Sequence, residues 1–429
     1  MRYSPAENKL FEGNRKKFTK QLKPNAISIF NSNDVMPTSA DGTVPFIQQT
    51  DLFYLSGIDQ EESILLIFPD AKEKKNREIL FIKETNKEIS IWEGHKYTKE
   101  EARELSGIQT VLWLTHFNDV FRSLVIQSEI IYLNSNEHLR AKNEVETRDL
   151  RFANFCKSKF PLHKYERSQP ILHSIRAIKS HLEIDQLKKA ISITEKGFKR
   201  VLKFIEPGVM EYEIEAELIH EFISNRSRRF AFQPIIACGF SACVLHYIEN
   251  KGQCKDGELV LMDIGAEYAN YNADLTRCVP VNGRFTDRQR SVYNAVLRVQ
   301  KEAMAMLAPG NNIPEYHKEV GKIMENELIG LGLIGKTEIK NQDPNHPAYK
   351  KYFMHGTSHH LGLDVHDYGY PQMKMETGMV FTVEPGIYIR EENLGIRLEN
   401  DVVISNDGVI DLMIDIPIES EEIEDIMNS

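Results

Sequence analysis

Two aspartates stand within a largely apolar stretch of the chain, GELVLMDIGAEYANYNADLTRCVPV. Leu259–Ile264 is apolar enough to form a buried strand, yet it contains Asp263, and Asp274 directly precedes the predicted return strand Leu275–Val281. A tight turn at Tyr268-Ala269 would place the two aspartates opposite each other. Like charges in that arrangement destabilise a hairpin, and burying either carboxylate alone costs several kcal/mol. A divalent cation between them would remove the conflict; alternatively, one aspartate lies in a turn and the other is exposed.

A second segment, FMHGTSHHLGLDVHD, contains four of the 14 histidines of the chain. Gly356 and Gly362 interrupt it, which predicts a loop or a strand edge rather than a helix. No glutamate follows the first histidine, so the HExxH motif of zinc proteases is excluded. A single histidine would more often be a buried structural residue, whereas a group favours metal ligation or acid–base chemistry. The four are His355, His359, His360 and His366.

Two further apolar strands, MVFTVEPGIYI and GIRLENDVVIS, contain acidic residues. Alternation places Glu384 near the centre of the first strand, where an unpaired carboxylate is rare. Arg397 and Glu399 share one face of the second strand by the same period of two. A structural salt bridge would explain one acidic residue, but not two such strands in addition to the aspartate pair.

Taken together, four carboxylates and one imidazole would supply the ligands of two divalent cations. Oxygen ligands with a single histidine favour Mn²⁺, and Co²⁺ or Zn²⁺ could substitute. Two such ions hold a bridging hydroxide and polarise a carbonyl group, which is the chemistry of hydrolysis.

The 429 residues exceed what one hydrophobic core usually supports, so the sequence predicts two domains. Residues 1–170 alternate short apolar runs with charged, helix-like segments, which indicates an α/β domain with a mainly parallel sheet. A polar stretch at Ser168–Pro170 marks the boundary to residues 171–429. The strands predicted in the first domain are Ala26–Phe30, Ser63–Phe68, Glu78–Ile82, Thr110–Leu114 and Ile130–Leu133.

Two long amphipathic helices are predicted in the second domain, over Ile184–Ile205 and from Thr286 to Leu307. Each ends at a Pro-Gly pair, and further helix and then strands follow it, which hints at an internal duplication. The strands predicted after these helical blocks are Pro234–Ala237, Glu258–Ile264, Met379–Ile389 and Ile396–Ser405.

Charge and composition exclude several classes of function. The formal net charge of −10, with basic and acidic residues intermixed, argues against a nucleic-acid partner. No stretch of 18 apolar residues occurs and the first residues lack an apolar segment, so we expect neither membrane spanning nor secretion. Five cysteines without metal-ligand spacing are typical of reduced thiols in a cytosol. We therefore expect a cytoplasmic protein.

The order of these motifs resembles that of the pita-bread metallopeptidases, which include methionine aminopeptidase, prolidase and aminopeptidase P. The similarity is greatest to bacterial aminopeptidase P (Xaa-Pro aminopeptidase), and it extends over nearly the whole chain. The motifs that carry it are LHYIEN, DIGAEY with ADLTR, MHGTSHHLGLDVHD, TVEPGIY and GIRLEND. The resemblance implies an N-terminal α/β domain of the creatinase-like type, followed by a C-terminal α+β pita-bread domain with a curved antiparallel sheet.

The resemblance also implies a set of metal ligands. Asp263 would bind one metal, His359 and Glu384 the other, and Asp274 and Glu399 would bridge them. The first histidine of the HH pair is the ligand in this family, and the second falls at a variable position. No ligand position is lost, which distinguishes this chain from metal-free members of the fold.

Roles in substrate binding and proton transfer are implied for further residues. His246, His355 and Tyr388 would contact substrate, and His366 and Arg397 would assist proton transfer. The stretch GFSAC before LHY departs from many relatives, so the contacts there are left open. Weaker local matches add three substrate-side residues, namely Asp41, Trp92 and Arg176. In the family the aromatic aligned with Trp92 can reach a neighbouring subunit, so we expect a homo-oligomer, either a dimer or a tetramer.

The expected reaction removes the first residue from peptides that have proline in the second position. A metal-bridging hydroxide would attack the Xaa-Pro carbonyl, and Glu384 would carry a proton to the leaving nitrogen. The first alternative is a prolidase, which must hold the free carboxylate of a dipeptide. Between His366 and Gly386 only Lys374 offers a cation, which favours longer peptides. The second alternative is a peptide-binding member of the fold without catalysis, and the intact ligand set argues against it.

Overall fold

The computed structural model describes residues 3–142 and 144–429, which form two compact units. The N-terminal unit is Pro5–Arg176. The C-terminal unit comprises Ala177–Ser429 together with Tyr3 and Ser4.

A six-stranded mixed sheet with the order β4-β3-β2-β1-β5-β6 forms the N-terminal unit. The β1–β5, β3–β4 and β5–β6 pairings are parallel, whereas β1–β2 and β2–β3 are antiparallel. Apolar side chains of the central strands are fully buried because helices cover them, as Ile27, Leu66 and Phe81 illustrate. The strands are β1 Ala26–Asn31, β2 Ile64–Ile67, β3 Glu78–Ile82, β4 Thr110–Trp113, β5 Ile130–Leu133 and β6 Lys164–Arg167.

Local signals set the ends of the helices in this unit. The helix Lys99–Ser106 begins with a capping box formed by Thr98 and Glu101, and it ends at Gly107, whose φ of 74° is left-handed. The helices are α1 Asn8–Thr19, α2 Thr50–Ser56, α3 Lys87–Glu93, α4 Lys99–Ser106, α5 Phe117–Val125, α6 Arg148–Lys159 and α7 Gln169–Ala177.

Helices of the C-terminal unit include the two long ones that the sequence predicts. The first begins with a capping box of Ser180 and Glu183, and the second with one of Thr286 and Gln289. The helices are α8 His181–Leu202, α9 Glu211–Ser224, α10 Asp287–Met306, α11 Ile313–Gly330, α12 Lys336–Lys340 and α13 Ser420–Met427. Short 3-10 turns across both units are Lys74–Asn76, Leu114–His116, Gly239–Cys243, Ala348–Lys351 and Arg390–Glu392.

Strands of the C-terminal unit pair only in antiparallel fashion among the described residues. Two three-stranded sheets, β11-β8-β7 and β12-β15-β16, are accompanied by the strand pairs β13-β14 and β10-β9. The strands are β7 Ile235–Cys238, β8 Leu259–Ile264, β9 Glu267–Tyr268, β10 Tyr271–Asn272, β11 Leu275–Pro280, β12 Val380–Val383, β13 Gly386–Ile389, β14 Leu394–Arg397, β15 Asn400–Ser405 and β16 Gly408–Asp411.

The hairpin that contains Asp263 turns one residue later than predicted. Ala269 and Asn270 form the turn, with left-handed φ angles of 52° and 66°. The register between β8 and β11 consequently places Thr276, not Asp274, opposite Asp263. The expectation that the two aspartates face each other directly is therefore wrong. The register shift is two residues, which is one full period of a strand, so Asp274 and Thr276 still lie on the same side of the hairpin.

Two of the five cysteines are joined in the C-terminal unit. Cys238 and Cys254 form a disulfide, and their Cα atoms lie 5.5 Å apart, a distance that a disulfide can span. The expectation of five reduced thiols is wrong for this pair, because tertiary folding brings together residues separated by 16 positions. The other three cysteines, Cys156, Cys243 and Cys278, are free and buried.

The described helices, within residues 3–142 and 144–429, bear on membrane spanning. None of these helices combines the length and the apolar character that crossing a bilayer requires.

Candidate metal centre

All five expected metal ligands lie in the C-terminal unit, at strands or at their ends. Asp263 is in β8, and Asp274 directly precedes β11. Glu384 directly follows β12, and Glu399 stands between β14 and β15. His359 lies in the loop before β12. Its backbone N–H donates to the hydroxyl of Thr382 in that strand, and its carbonyl accepts from the N–H of Thr382.

Three of these side chains form a compact cluster. Asp274, His359 and Glu399 each present a ligand atom, and these atoms lie within 4.8 Å of one another. His359 also brings in Glu384, because Nε2 of His359 lies 3.5 Å from Oδ2 of Asp274 and 3.7 Å from Oε1 of Glu384. The imidazole therefore lies between two carboxylates.

Asp263 reaches the same centre from β8. Its Oδ2 atom accepts a hydrogen bond from Nη2 of Arg397 at 2.5 Å. Its Oδ1 atom is buried and has no hydrogen-bond partner among the described residues. The negative charge of Asp263 acts on Asp274, so both aspartates belong to one electrostatic cluster. An orphaned carboxylate oxygen of this kind is a suitable ligand for a cation.

Burial and mutual repulsion make this cluster unfavourable without a compensating charge. Burial, followed by the charge of Asp263, raises the pKa of Asp274 well above its usual range. Burial also raises the pKa of Glu399 in the same way, with Asp274 as the next cause, and it raises the pKa of Glu384 to about 7. Arg397 forms an ion pair only with Asp263 in this group. The donor set of carboxylate oxygens and one imidazole fits divalent cations, which would supply the missing positive charge.

The tautomer of His359 suits ligation through Nε2. Nδ1 of His359 lies 3.0 Å from the carbonyl oxygen of His360. A carbonyl oxygen can only accept, so Nδ1 carries the proton and Nε2 presents its lone pair to the carboxylate cluster. The neighbouring His360 is buried, and its ring packs against Phe381 at a centroid distance of 4.4 Å.

A chain of hydrogen bonds leads from Arg397 away from the cluster. Nη1 of Arg397 donates to the hydroxyl of Tyr388 at 2.9 Å, and this hydroxyl lies 2.8 Å from Nε2 of His355. Nδ1 of His355 donates to the carbonyl of Gly356, so Nε2 accepts from Tyr388. Burial, with the charge of Arg397 adding to it, lowers the pKa of His355 to about 3, so this imidazole is neutral.

The other two expected histidines, His366 and His246, interact with His359 and His355 respectively. The ring of His366 lies 4.4 Å from the ring of His359, and His366 is exposed. His246 is exposed on the loop that follows Gly239–Cys243, and its charge contributes to the lowered pKa of His355. The structure therefore places His355 beside Glu384 and His366 beside His359, whereas His246 acts on His355 through its charge.

Three expected substrate-side residues belong to the N-terminal unit. Asp41 is exposed in the loop between β1 and α2, and Trp92 on α3 is 89% exposed. Arg176 is buried, and its Nη1 atom donates to Asp51 at 2.7 Å and to Thr50 at 3.0 Å. Their part in substrate binding remains a prediction.

Sequence reasoning missed Thr276, which links two parts of the centre. Its hydroxyl donates to Oε2 of Glu399 at 2.6 Å and accepts from Nε of Arg397 at 3.2 Å. The sequence does contain a signal for this residue. Thr276 follows Asp274 by two positions, so the two side chains lie on the same face of a strand.

Comparison with known proteins agrees with this fold. The model of metallopeptidase family M24 matches residues 185–406, and that of the aminopeptidase P N-terminal domain matches residues 11–132. The Xaa-Pro aminopeptidase of Escherichia coli (strain K12) is 33% identical, over 97% of both chains. Xaa-Pro aminopeptidase 3 of Homo sapiens is 30% identical, over 92% of this chain and 79% of the human protein.

Solved structures show the same relationship. Escherichia coli aminopeptidase P with the inhibitor Pro-Leu has a TM-score of 0.87 and 31% identity, over 99% of both chains. Pseudomonas aeruginosa aminopeptidase PepP has a TM-score of 0.89 and 29% identity, over 100% of this chain and 99% of that chain.

The fold and the carboxylate cluster define a metal-dependent peptidase. The chain belongs to metallopeptidase family M24, within the aminopeptidase P group of the pita-bread fold. The expected pair of domains, an α/β domain followed by a pita-bread domain, is confirmed. The expectation of a metallo-aminopeptidase, which is a hydrolase, is also confirmed.

Proposed function

We propose that the protein is a dinuclear metal aminopeptidase that removes the N-terminal residue from peptides with proline in the second position. One observation carries the proposal, namely the convergence of the Asp274, His359 and Glu399 ligand atoms within 4.8 Å in a chain of family M24. The Escherichia coli relative, at 33% identity, is named an Xaa-Pro aminopeptidase, which supports the substrate class.

Five side chains would hold the two cations. Asp263 would bind one cation, His359 and Glu384 the other, and Asp274 and Glu399 would bridge them. When bound, the cations would polarise the scissile carbonyl and lower the pKa of a water molecule. The preponderance of oxygen donors favours Mn²⁺, and Co²⁺ or Zn²⁺ could take its place.

Proton transfer falls to residues of the chain itself. Glu384 would take a proton from the attacking water and pass it to the leaving imino nitrogen, and its contacts with His359 and His355 support this position. The hydroxyl of Tyr388, itself bonded to Arg397, orients the ring of His355, and burial keeps this ring neutral. The exposed His366 would assist proton exchange with solvent.

Substrate would be held mainly by His246, His355 and Tyr388. Asp41, Trp92 and Arg176 remain part of the proposal through local resemblance only. The buried pairing of Arg176 with Asp51 gives that arginine a structural role in its own unit.

The proposal includes assembly and location. We expect a homo-oligomer, either a dimer or a tetramer, and the 89% exposure of Trp92 is consistent with a partner covering it. Light scattering coupled to gel filtration measures this. We also expect a cytoplasmic protein without nucleic-acid or membrane partners. Fluorescence microscopy of the tagged protein, with subcellular fractionation, tests the location.

Initial rates with added Mn²⁺ on Xaa-Pro-Xaa, Xaa-Pro and Xaa-Ala-Xaa peptides test the reaction. We expect tripeptides with central proline to show the highest kcat/KM, and the exposed Lys374→Ala to change that rate little. Dipeptides cleaved tenfold better (about 1.4 kcal/mol of transition-state binding), with the advantage lost in Lys374→Ala, would identify a prolidase. Metal binding without hydrolysis of any peptide would identify a binding protein.

A further inference from the structure

The two ligands expected to bridge the cations come from different sheets. Asp274 adjoins β11 of the sheet β11-β8-β7, whereas Glu399 adjoins β15 of the sheet β12-β15-β16. The two sheets meet where Thr276 and Glu399 form an isolated bridge, with the N–H of Glu399 donating to the carbonyl of Thr276 at 3.1 Å. The distance between the two carboxylates expected to bridge therefore depends on how the two sheets meet at Thr276 and Glu399, which we call the seam.

Asp401 of the second sheet holds the backbone of the ligand in the first. It is fully buried in β15, and its Oδ2 atom accepts a hydrogen bond from the backbone N–H of Asp274 at 3.0 Å. The contact joins residues 127 positions apart in the chain.

Arg277 of the first sheet holds the backbone of the ligand in the second. It is fully buried in β11, and its Nη1 atom donates to the carbonyl of Glu399 at 2.7 Å and to that of Thr276 at 3.0 Å. Its Nη2 atom donates to the side chain of Asn400 at 2.7 Å, and its Nε atom to the carbonyl of Pro417 at 2.8 Å. The arrangement is reciprocal, because each ligand backbone is bonded to a buried, ionisable side chain of the opposite sheet.

Burying ionisable side chains is a costly way to join two strands. An ordinary backbone ladder would join the strands without burying ionisable groups. Here the burial is costly, since Oδ1 of Asp401 is buried without a hydrogen-bond partner among the described residues. Buried side chains of this kind can fix the position of a metal ligand, and metal–ligand distances can vary by only about 0.2 Å. Partners of this kind orient ligands in metal sites generally.

We propose that Asp401 and Arg277 are positioning residues that set the separation of Asp274 and Glu399. The inference rests on the proposed function, since it assumes that these two carboxylates bind cations. Asp401 acts through its hydrogen bond to the Asp274 N–H, and Arg277 through its hydrogen bonds to the Glu399 carbonyl. Both side chains are fully buried, so they act through the ligands rather than on substrate directly.

Calorimetric titration of Mn²⁺ into the metal-free chain tests Asp401, with the melting temperature of the metal-free protein measured in parallel. Asp401→Ala removes the acceptor, and we expect Mn²⁺ affinity to fall about 10- to 100-fold. Asp401→Asn keeps an acceptor oxygen at the same place, and we expect its affinity to stay within about threefold of the parent.

Glu424→Ala is the matched control. Glu424 is a buried carboxylate that accepts a backbone N–H, that of Phe285 at 2.7 Å, but it lies in α13. We expect this variant to lower the melting temperature while leaving Mn²⁺ affinity unchanged. Arg277→Lys, whose single ammonium cannot serve four acceptors, should weaken Mn²⁺ binding as Asp401→Ala does.

Two outcomes overturn the inference while the proposed function stands. The first is a parent that binds two Mn²⁺ per chain with Asp401→Ala at the same affinity. The second is an Asp401→Asn affinity as low as that of Asp401→Ala, which would assign the effect to charge rather than to the hydrogen bond. A parent that binds no Mn²⁺ rejects the proposed function itself, and the inference with it.

Discussion

Nη2 of Arg397 lies 2.5 Å from Oδ2 of Asp263, and this contact joins β14 to β8 at the candidate metal centre. The other terminal nitrogen of the same guanidinium donates to the hydroxyl of Tyr388 at 2.9 Å. One planar group therefore orients an expected metal ligand and, through Tyr388, the imidazole of His355.

Arg397→Lys should lower turnover of Xaa-Pro-Xaa peptides by about tenfold or more, because one ammonium cannot hold Asp263 and Tyr388 together. Steady-state kinetics measures the effect, and circular dichroism checks the fold. Arg390→Lys, at an exposed arginine of the 3-10 turn Arg390–Glu392, serves as the control. A turnover of Arg397→Lys within twofold of the parent would contradict this role.

Asp274→Ala should reduce the metal content from two ions to one or none per chain, because this carboxylate lies in the ligand cluster with His359 and Glu399 and is proposed to bridge both ions. The fold should persist, since the backbone N–H of residue 274 can still donate to Asp401. Elemental analysis of the purified variant decides the matter. Asp256→Ala, which alters a carboxylate bonded to exposed Asn282, should keep both ions. Two ions retained in Asp274→Ala would show that this aspartate does not bridge.

Glu384→Gln should reduce kcat about 100-fold or more and change KM much less, because the amide can neither take up nor deliver a proton. Single-turnover rates on an Xaa-Pro-Xaa peptide separate the chemical step from binding. The exposed Glu391→Gln is the matched change and should behave as the parent does. If Glu384→Gln turns over near the parent rate, the residue has no part in proton transfer.

Asp149 should make the stability of the N-terminal unit depend on pH. Burial raises its pKa from 3.8 to about 6 in the folded chain, so between these values the folded state binds more protons than the unfolded state. The free energy of unfolding should therefore fall as the pH rises through this window, by up to about 3 kcal/mol.

Urea unfolding of the parent and of Asp149→Asn, at pH 4.5 and pH 7, measures this effect. Other carboxylates titrate in both proteins, so the difference between the two isolates Asp149. The parent should lose more stability than Asp149→Asn on going to pH 7. Equal losses would mean that Asp149 titrates at its ordinary pKa.

Local patterns were sufficient to predict most of the secondary structure. The predicted strand Ile130–Leu133 is observed without change, and the predicted helix from Thr286 to Leu307 is observed as Asp287–Met306. Strand β6, Lys164–Arg167, was missed because it is a polar edge strand without apolar alternation. Apolar runs and capping residues act over a few positions, which is why they can be recognised in the sequence.

The sequence by itself determined that Asp263, Asp274, Glu384 and Glu399 stand in or directly beside apolar strands, where carboxylates are rare. Only the tertiary structure decided the register that places Thr276 opposite Asp263, since left-handed angles at Ala269 and Asn270 shift the turn by one residue.

The tertiary structure likewise decided the pairing of Cys238 with Cys254 and the contacts of Asp401 and Arg277 across the seam. The two seam contacts join residues 127 and 122 positions apart. No local periodicity encodes such pairs. They form because buried backbone groups need hydrogen-bond partners, and packing the two sheets together brings the N–H of Asp274 to Asp401 and the carbonyl of Glu399 to Arg277.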